Sequence, residues 1–584
     1  MAMLALSSAA RRCSAGGAVL LLALSCNCRP ALPQAAHQAA LNAPVSGPYK
    51  ISGTVVNAVS GEPLRRALVA VLTEEDSHTV ESTLSDNEGR FTLTALAAAK
   101  YQLTASKRGF RTAFYDEHDD YSTAIVTGAD QDTSAITFRL TPGAILRGEV
   151  TGDGGDPVEG ARVMLFRRPQ GHKTGERIAH ADTATTDDTG AYEFGNLAAG
   201  DYLVAVTAEP WFSLHRSFGA WRGASGTSPG ASPANESAAA LDVTYPVTYF
   251  DSTTDESSAT PITITAGATE LANIDLHAVP ALHLFVQSPS KQDGSIARPE
   301  LRQSIFGADV STESLGSFDG RSSDGSAPGT VEFTGVAPGH YELAQGDPPR
   351  TIEIDATSNQ QIDPSVGTPT VEVSGSIKSA SGSALPPDIT VTIEPVDGER
   401  RRDAMPVGAA RGFFRYSSVS PGKFAVSAFA SGRRLAVISI TSGNRTHAGN
   451  SLAVGDQPLQ IVLTVSPGDM RVDGFARKDG KGFAGAMVVL VPRDLNACDE
   501  LARRDQSDSD GSFSLRDAAP GQYTVVAIED GWNLDWSRPE VIRRFLPRGT
   551  SVTVVDTPAK VLTLEGAVQV QSPSPRFIEP DLRR

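Results

Sequence analysis

The chain has 584 residues, with 40% hydrophobic residues, 54 glycines, 37 prolines and a formal net charge of −17. That length exceeds what one hydrophobic core organises, so several domains are expected. The acidic balance disfavours nucleic acid as a partner, because a phosphate backbone would be repelled.

Residues 1–40 are predicted to be a secretory signal. Arg11 and Arg12 precede an apolar run over residues 15–24, which is too short to span a bilayer. Two cleavage sites are compatible with this segment. Residues 23–26 loosely resemble a bacterial lipobox, which would make Cys26 the lipid-modified first residue of an anchored protein. Cleavage among the alanines at 35–40 would instead release a soluble secreted protein.

Only Cys498 remains in the mature body, so an intrachain disulfide is not expected there. No later segment reaches the length of apolar sequence that a transmembrane helix needs. The predicted location is therefore the cell envelope or the extracellular space, without a membrane span in the mature chain.

A unit of fixed spacing occurs five times along the chain. In each copy a glycine is followed twelve positions later by an aromatic residue, with apolar residues two and four positions after the glycine. That alternation is typical of a half-buried strand, and self-similarity of this kind indicates a repeated domain. The pairs are Gly89 and Tyr101, Gly190 and Tyr202, Gly329 and Tyr341, Gly412 and Phe424, and Gly511 and Tyr523.

The spacing between copies and the frequent turn signals predict an all-β chain, a tandem array of about five small antiparallel β-sandwiches. Short linkers would join them into an elongated array. The predicted domains are residues 48–141, 144–279, 280–358, 369–466 and 468–566, the third being degenerate. Residues 213–240, rich in Gly, Ser, Pro and Ala, are predicted to be an inserted loop of the second domain. Residues 567–584 are predicted to be a disordered tail.

The motifs of the second copy carry a family resemblance. They run from Gly148 through Pro157 to Val163, then over residues 185–192 and 197–202. This pattern resembles the carboxypeptidase regulatory-like domain. The resemblance implies a transthyretin-like or prealbumin-like sandwich of the immunoglobulin-like, carbohydrate-binding-like kind. Residues 245–250 and 530–545 are similar to segments of large exported repeat proteins of soil bacteria.

Acidic turns precede three of the repeated strands. They contain Asp86, Asp187, Asp508 and Asp510 beside the repeat glycine. Carboxylates at this spacing are candidate Ca²⁺ ligands, although the same residues are favoured in tight turns, and the turn interpretation is preferred. The acidic segment 116–120 around His118 has the same two interpretations, a metal site or a solvated loop, and the loop is preferred.

Tryptophans are the other candidate ligand-binding residues, because a flat ring stacks on the apolar face of a sugar. Trp211 precedes the predicted insertion and Trp221 lies near its start, while Trp532 and Trp536 follow the last repeated strand. Their alternative role is to cap the sandwiches, since aromatic rings bury a large area.

The sequence contains no set of nucleophile, base and orienting residue, no zinc-ligand spacing and no room for a catalytic domain, so the chain is predicted not to be an enzyme. One functional hypothesis is an exported binding protein for a glycan or another surface polymer, without a cofactor. The alternatives are a spacer or stalk, a scaffold for other envelope proteins, and a non-catalytic accessory to a peptidase system.

Overall fold

A computed structural model describes residues 46–74, 77–168, 178–215, 240–288, 299–311, 316–318, 329–346, 349–363, 370–396 and 407–573. The predicted signal segment with Cys26 lies outside the described residues. So do Trp221 and most of the predicted loop 213–240.

The described residues form tandem domains built from β-strands, as the repeat pattern predicts. Two single-turn helices occur among them, α1 (Cys498–Leu501) and α2 (Pro539–Ile542). Short 3-10 turns span Asp153–Gly155, Glu256–Ser258, Leu495–Ala497, Gly531–Asn533 and Leu546–Arg548. No helix in the described part of the chain is long and apolar enough to cross a membrane.

The first and second domains each contain two facing sheets. The strands of the first are β1 (Ser46–Asn57), β2 (Leu68–Thr73), β3 (Thr79–Leu84), β4 (Arg90–Leu96), β5 (Lys100–Ser106), β6 (Ala113–Phe114), β7 (Ile125–Val126) and β8 (Ile136–Leu140). Their sheets have the orders β4-β1-β8 and β3-β2-β5-β6, and β7 also pairs with β5.

The strands of the second are β9 (Ala144–Thr151), β10 (Arg162–Arg167), β11 (Ala179–Thr185), β12 (Ala191–Leu197), β13 (Gly200–Thr207), β14 (Val243–Thr244), β15 (Thr248–Tyr249), β16 (Ile262–Ile264), β17 (Thr269–Leu271), β18 (Ile274–Asp275) and β19 (Val279–Pro280). The main sheets are β12-β9-β17 and β11-β10-β13-β15.

The third domain also has two sheets, β23-β24-β20-β27 and β22-β21-β25-β26. Its strands are β20 (Leu282–Ser288), β21 (Glu300–Ile305), β22 (Ala308–Ser311), β23 (Gly316–Phe318), β24 (Gly329–Val336), β25 (Gly339–Gly346), β26 (Pro349–Ala356) and β27 (Gln360–Ile362). Because β27 pairs with β20, this domain extends past the predicted end at residue 358.

In the fourth and fifth domains one strand joins the two sheets into a continuous ladder, through β33 and β45 respectively. The fourth contains β28 (Val371–Ser379), β29 (Thr390–Pro395), β30 (Val407–Gly408), β31 (Phe413–Val419), β32 (Gly422–Ala430), β33 (Arg433–Ser442), β34 (Arg445–Ala448), β35 (Ser451–Val454) and β36 (Leu459–Ser466). The fifth contains β37 (Met470–Lys478), β38 (Lys481–Gly482), β39 (Met487–Pro492), β40 (Arg503–Gln506), β41 (Ser512–Ala518), β42 (Gly521–Ile528), β43 (Thr550–Val554), β44 (Val561–Thr563) and β45 (Val568–Gln571).

The predicted disordered tail over residues 567–584 begins too early. Strand β45 (Val568–Gln571) pairs in parallel with β37 and β42, and Val568 is fully buried in the core of the fifth domain. An apolar alternation of only four residues before a proline-rich end is too short to distinguish a strand from a tail.

One pairing scheme recurs in every domain. The first strand has an antiparallel neighbour from the repeated unit on one side, for example β12 beside β9. On the other side it has a parallel neighbour from the end of the domain, such as β17 beside β9 or β36 beside β28. The sequence analysis predicted antiparallel strands only, so these parallel pairs are a difference from it. The two strands of each parallel pair are distant in the chain, and such a pairing leaves no local signal in the sequence.

The repeated aromatic residue is buried in all five copies, as predicted. Tyr101, Tyr202, Tyr341, Phe424 and Tyr523 are each at most 4% exposed. Each of the four tyrosines donates a hydrogen bond from its hydroxyl to the carbonyl oxygen of the residue four positions earlier. The repeated spacing therefore places a core ring and closes the turn that leads into its strand.

The repeated glycines are required where the backbone has a positive φ or a neighbour approaches closely. Gly190, with φ of +76°, lies in the left-handed region that side chains disfavour. Gly148 lies where β9 passes its parallel neighbour, and a Cβ there would overlap the carbonyl oxygen of Ala272. A backbone carbonyl oxygen also crowds Gly53 and Gly375 in the first strands of two other domains, whereas at Gly474 the close neighbours are the side chains of Phe513 and Leu564.

Gly148→Ala is expected to destabilise the second domain by about 2–3 kcal/mol, because backbone would have to shift to admit the methyl group. Gly195→Ala is the matched control, since a Cβ at Gly195 meets no atom within 4 Å, and we expect it to change stability by less than about 1 kcal/mol. Hydrogen exchange of peptides from residues 144–213 measures both. Equal loss of protection in the two variants would contradict the close-approach explanation.

Candidate ligand-binding cleft

The first and fifth domains are in direct contact, although they are far apart in the chain. Nζ of Lys100 lies 2.6 Å from Oδ2 of Asp508, a residue 408 positions later. Arg516 and Glu74 form a second ion pair across the contact, with 2.6 Å between Nη2 and Oε1. The sequence analysis did not predict this contact between domains that are distant in the chain.

The acidic turn of the fifth domain covers an edge of the first. The N–H of Ala124 donates to Oδ1 of Asp508 at 3.2 Å, and the N–H of Ser509 donates to the carbonyl of Ala124 at 3.0 Å. The N–H of Val126 donates to Oγ of Ser509 at 2.9 Å. Because Val126 belongs to the short strand β7, these bonds satisfy edge groups that would otherwise face solvent.

Trp532 packs against the acidic segment 116–120 of the first domain. Its ring is stacked on His118, with 5.5 Å between centroids and 10° between planes, and its Nε1 donates to the carbonyl of Gly485. Trp532 is only 7% exposed. His118 also lies 3.2 Å from Oε1 of Gln506. The segment 116–120 therefore contacts the fifth domain through His118, while its four carboxylate residues are exposed.

Beside this contact lies a cleft of about 430 Å³, open to solvent and lined by both domains. Trp536 lines it as a half-buried side chain. The guanidinium carbon of Arg504 lies 4.9 Å from the centroid of Trp536 and 5.1 Å from that of Tyr121. Other lining residues are Glu74, Gln102, Asp120, Ser122, Arg503, Asp505, Asp508, Ser514, Arg516 and Asp517.

The guanidinium groups of the cleft are engaged within the protein. Arg504 contacts Asp119, Arg516 contacts Glu74, and Arg503 donates to backbone carbonyls. The carboxylates of Asp120 and Asp517 make no hydrogen bond or ion pair with the described residues. The cleft therefore offers free acceptors beside an aromatic ring, while its cations are already paired.

Asp505 has an unusual protonation equilibrium. Burial, with the nearby charges of Asp508 and Glu74, raises the pKa of Asp505 to about 7, although N–H groups of Ser514 and Gln506 donate to its carboxylate. Burial also raises the pKa of Asp508, against the opposing charge of Lys100. Near neutral pH the cleft therefore contains a carboxyl group that is protonated in part of the molecules.

The predicted calcium ligands lie in three turns of three different domains, and only Asp508 and Asp510 share a turn. Oδ1 of Asp86 accepts from the N–H groups of Glu88 and Arg90, and Oδ1 of Asp187 accepts from those of Thr189 and Ala191. Asp510 accepts from Ser512, and Asp508 makes the interdomain contact. Among the described residues no group of three or more His, Cys, Asp or Glu side chains could hold a metal ion. The calcium alternative stays a prediction.

The structure separates the candidate tryptophans. Trp211 is 90% exposed and lies edge-on to Phe212. Trp532 is buried in the interdomain contact, so its face is not available to a sugar, and Trp536 alone of the described three lines the cleft. Sequence reasoning missed Tyr121, Arg504 and Asp505, because only the contact between distant domains brings them together.

A second group of side chains that the sequence left scattered meets between the second and third domains. His283 is buried, with Nδ1 2.9 Å from Oε1 of Glu332 and Nε2 2.7 Å from Oδ2 of Asp242. Asp242 also contacts His215, at 3.0 Å. Since both ring nitrogens of His283 face carboxylates, the group connects the two domains through charge-assisted hydrogen bonds.

Comparison with known families agrees with the sequence resemblance. Residues 50–141 and 145–213 match the model of the carboxypeptidase regulatory-like domain. The match covers the first domain and the front of the second. No curated protein sequence matches this chain.

Three solved structures illustrate the range of similar folds. The TIE protein of Bacillus anthracis is 13% identical over 72% of this chain and 74% of its own, with a TM-score of 0.16. A minor pilin of Streptococcus agalactiae is 15% identical over 40% of this chain and 97% of its own, with a TM-score of 0.19. A putative carbohydrate binding protein of Bacteroides uniformis is 13% identical over 28% and 90%, with a TM-score of 0.13. Structural similarity at such low TM-scores does not indicate a shared function.

The Lys100–Asp508 pair is expected to be energetically coupled in solution. In a double-mutant cycle of Lys100→Met and Asp508→Asn, we expect a coupling of about 1–2 kcal/mol, measured as the opening free energy of a peptide containing Ala124 and Val126 by hydrogen exchange. The matched control is Lys560→Met with Asp556→Asn, an ion pair within the fifth domain, which should leave that peptide unchanged. Zero coupling at Lys100 and Asp508 would exclude the contact.

Asp505→Asn is expected to remove a pH dependence of stability. The pKa of Asp505 is about 7 in the folded protein, above the ordinary aspartate value of 3.8. Folding therefore binds a proton between these two pH values, and stability falls as pH rises from 4 to 7. The wild type should lose up to about 1.4 kcal/mol per pH unit relative to Asp505→Asn across this range. Urea unfolding followed by tryptophan fluorescence measures the difference. A difference that does not vary with pH would contradict the assignment.

Proposed function

We propose that this chain, whose first two domains match the carboxypeptidase regulatory-like family, is a non-catalytic exported protein that binds a hydroxyl-rich polysaccharide between its first and fifth domains. The observation that supports the proposal most directly is the position of Trp536, half-buried in a cleft of about 430 Å³ with free carboxylate acceptors. A ring in a concavity with polar neighbours is the arrangement that sugar binding requires.

The chemistry of the lining favours a sugar over other polymers. An indole ring offers an apolar face to the C–H groups of a pyranose, and Arg504 against Trp536 restricts the orientation of that ring. Asp120 and Asp517 can accept hydroxyl hydrogen bonds. An acidic polymer would meet these unpaired carboxylates and find no unpaired guanidinium group in the cleft. We therefore expect a neutral or amino sugar.

A non-catalytic role is consistent with the composition of the cleft. Its serines, Ser122 and Ser514, have no histidine among the described lining residues that could act as their base. The predicted signal segment suggests that the protein acts outside the cytoplasm, either anchored through Cys26 or released. In both cases the cleft would face an extracytoplasmic polymer.

Affinity electrophoresis against a panel of neutral, amino and acidic polysaccharides tests the proposal, using the chain without its predicted signal segment. Trp536→Ala is expected to weaken binding at least tenfold, which corresponds to about 1.4 kcal/mol. Trp211→Ala is the matched control, because Trp211 is exposed but lies outside the cleft, and it should bind like the wild type. Trp532→Ala is not a suitable control, since it would disturb the interdomain contact.

Two outcomes would contradict the proposal. Unchanged binding by Trp536→Ala would remove the cleft from the explanation. Absence of binding to every polymer of the panel would favour the alternative function, a spacer or scaffold whose five domains join other envelope components.

A further inference from the structure

The turn before the repeat glycine has the opposite charge in the fourth domain. In the first, second and fifth domains it begins with Asp86, Asp187 or Asp508. In the fourth domain the corresponding residues are two alanines followed by Arg411 and Gly412. The Asp position is thus Ala409 in the fourth domain, and the residue directly before the glycine, which is Glu88, Thr189 or Asp510 in the other three, is Arg411.

Arg411 is exposed and has a left-handed backbone conformation, with φ of +54°. Lys378, at the end of β28, is exposed nearby. Neither side chain makes a hydrogen bond or ion pair with the described residues. Both line an open cavity of about 580 Å³ on the fourth domain.

The rest of the cavity suits an anion. Ser379 and Ser383 line it, and their hydroxyls lie 3.0 Å apart. No acidic residue is among the lining residues. Asp388 follows the lining prolines in the chain but does not line the cavity. Its carboxylate accepts hydrogen bonds from the N–H and the hydroxyl of Ser431, at 2.7 and 2.8 Å. Among the described residues, two unpaired cations and two serine hydroxyls thus line one cavity without a competing carboxylate.

We infer that this cavity of the fourth domain binds an oxyanion, a carboxylate, sulfate or phosphate group, between Arg411 and Lys378. The guanidinium group would bind the anion through paired N–H donors, and the serine hydroxyls would donate from the adjacent turn. The apolar wall formed by Leu385, Pro386 and Pro387 gives room for the body of a larger ligand, such as an acidic sugar. This site is separate from the cleft between the first and fifth domains, so its test does not depend on the proposed function.

Calorimetric titration at low ionic strength tests the inference, with glucuronate, sulfate and phosphate as anions and glucose as the neutral probe. We expect the anions to bind and glucose not to bind. Arg411→Gly and Lys378→Gln should each weaken anion binding at least fivefold. Arg411→Gly removes the charge at a backbone conformation that glycine adopts readily. The midpoint temperature of thermal unfolding should therefore be unchanged or slightly higher in this variant.

Arg433→Gln is the matched control, because it removes an exposed cation of the same domain that does not line the cavity. It should bind anions like the wild type. Tighter binding of glucuronate than of sulfate and phosphate would identify an acidic sugar as the source of the oxyanion, and equal binding would identify a free anion. The inference is overturned if the wild type binds no anion, or if the control weakens binding as much as Arg411→Gly does.

Discussion

The docking of the first domain on the fifth is the interaction on which the candidate site depends. The Lys100–Asp508 pair and the bonds from Ala124 and Ser509 hold together surfaces that are 408 residues apart. Tyr121 and Trp536 belong to different domains, so without this contact they would not meet and the cleft would not exist. A ligand that touches both domains would therefore stabilise the docked state, and docking and binding would be thermodynamically linked.

The contact between the first and fifth domains is polar, and its polarity affects its stability. Ion pairs and hydrogen bonds to backbone dominate it, with Trp532 and His118 as its stacked aromatic pair. Interdomain contacts of this kind resemble transient protein interfaces more than domain cores. Asp505, with its raised pKa, adds a carboxyl group that is stable there when protonated. Docking is therefore expected to respond to salt and pH while each sandwich stays folded.

One repeated turn has acquired three roles. In the first two domains Asp86 and Asp187 accept hydrogen bonds from residues of their own turn. In the fifth domain the same position, Asp508, reaches across to Lys100. In the fourth domain the Asp position is Ala409, and Arg411, directly before the repeat glycine, lines a cavity. The sandwich tolerates these changes because the turn lies outside the hydrophobic core, which is supplied by the strands on either side.

The sequence by itself determined the repeated domain, its β-strands and the buried ring of each copy, because alternation and turn chemistry act over a few neighbouring residues. The role of Gly148 and the strand at Val568 depend on parallel neighbours that are distant in the chain. Tertiary structure alone decided that Trp532 is buried while Trp536 lines a cleft, although four positions separate them. That distinction arises from which surface of the first domain meets the fifth, and surface complementarity between distant domains leaves no periodic signal in a sequence.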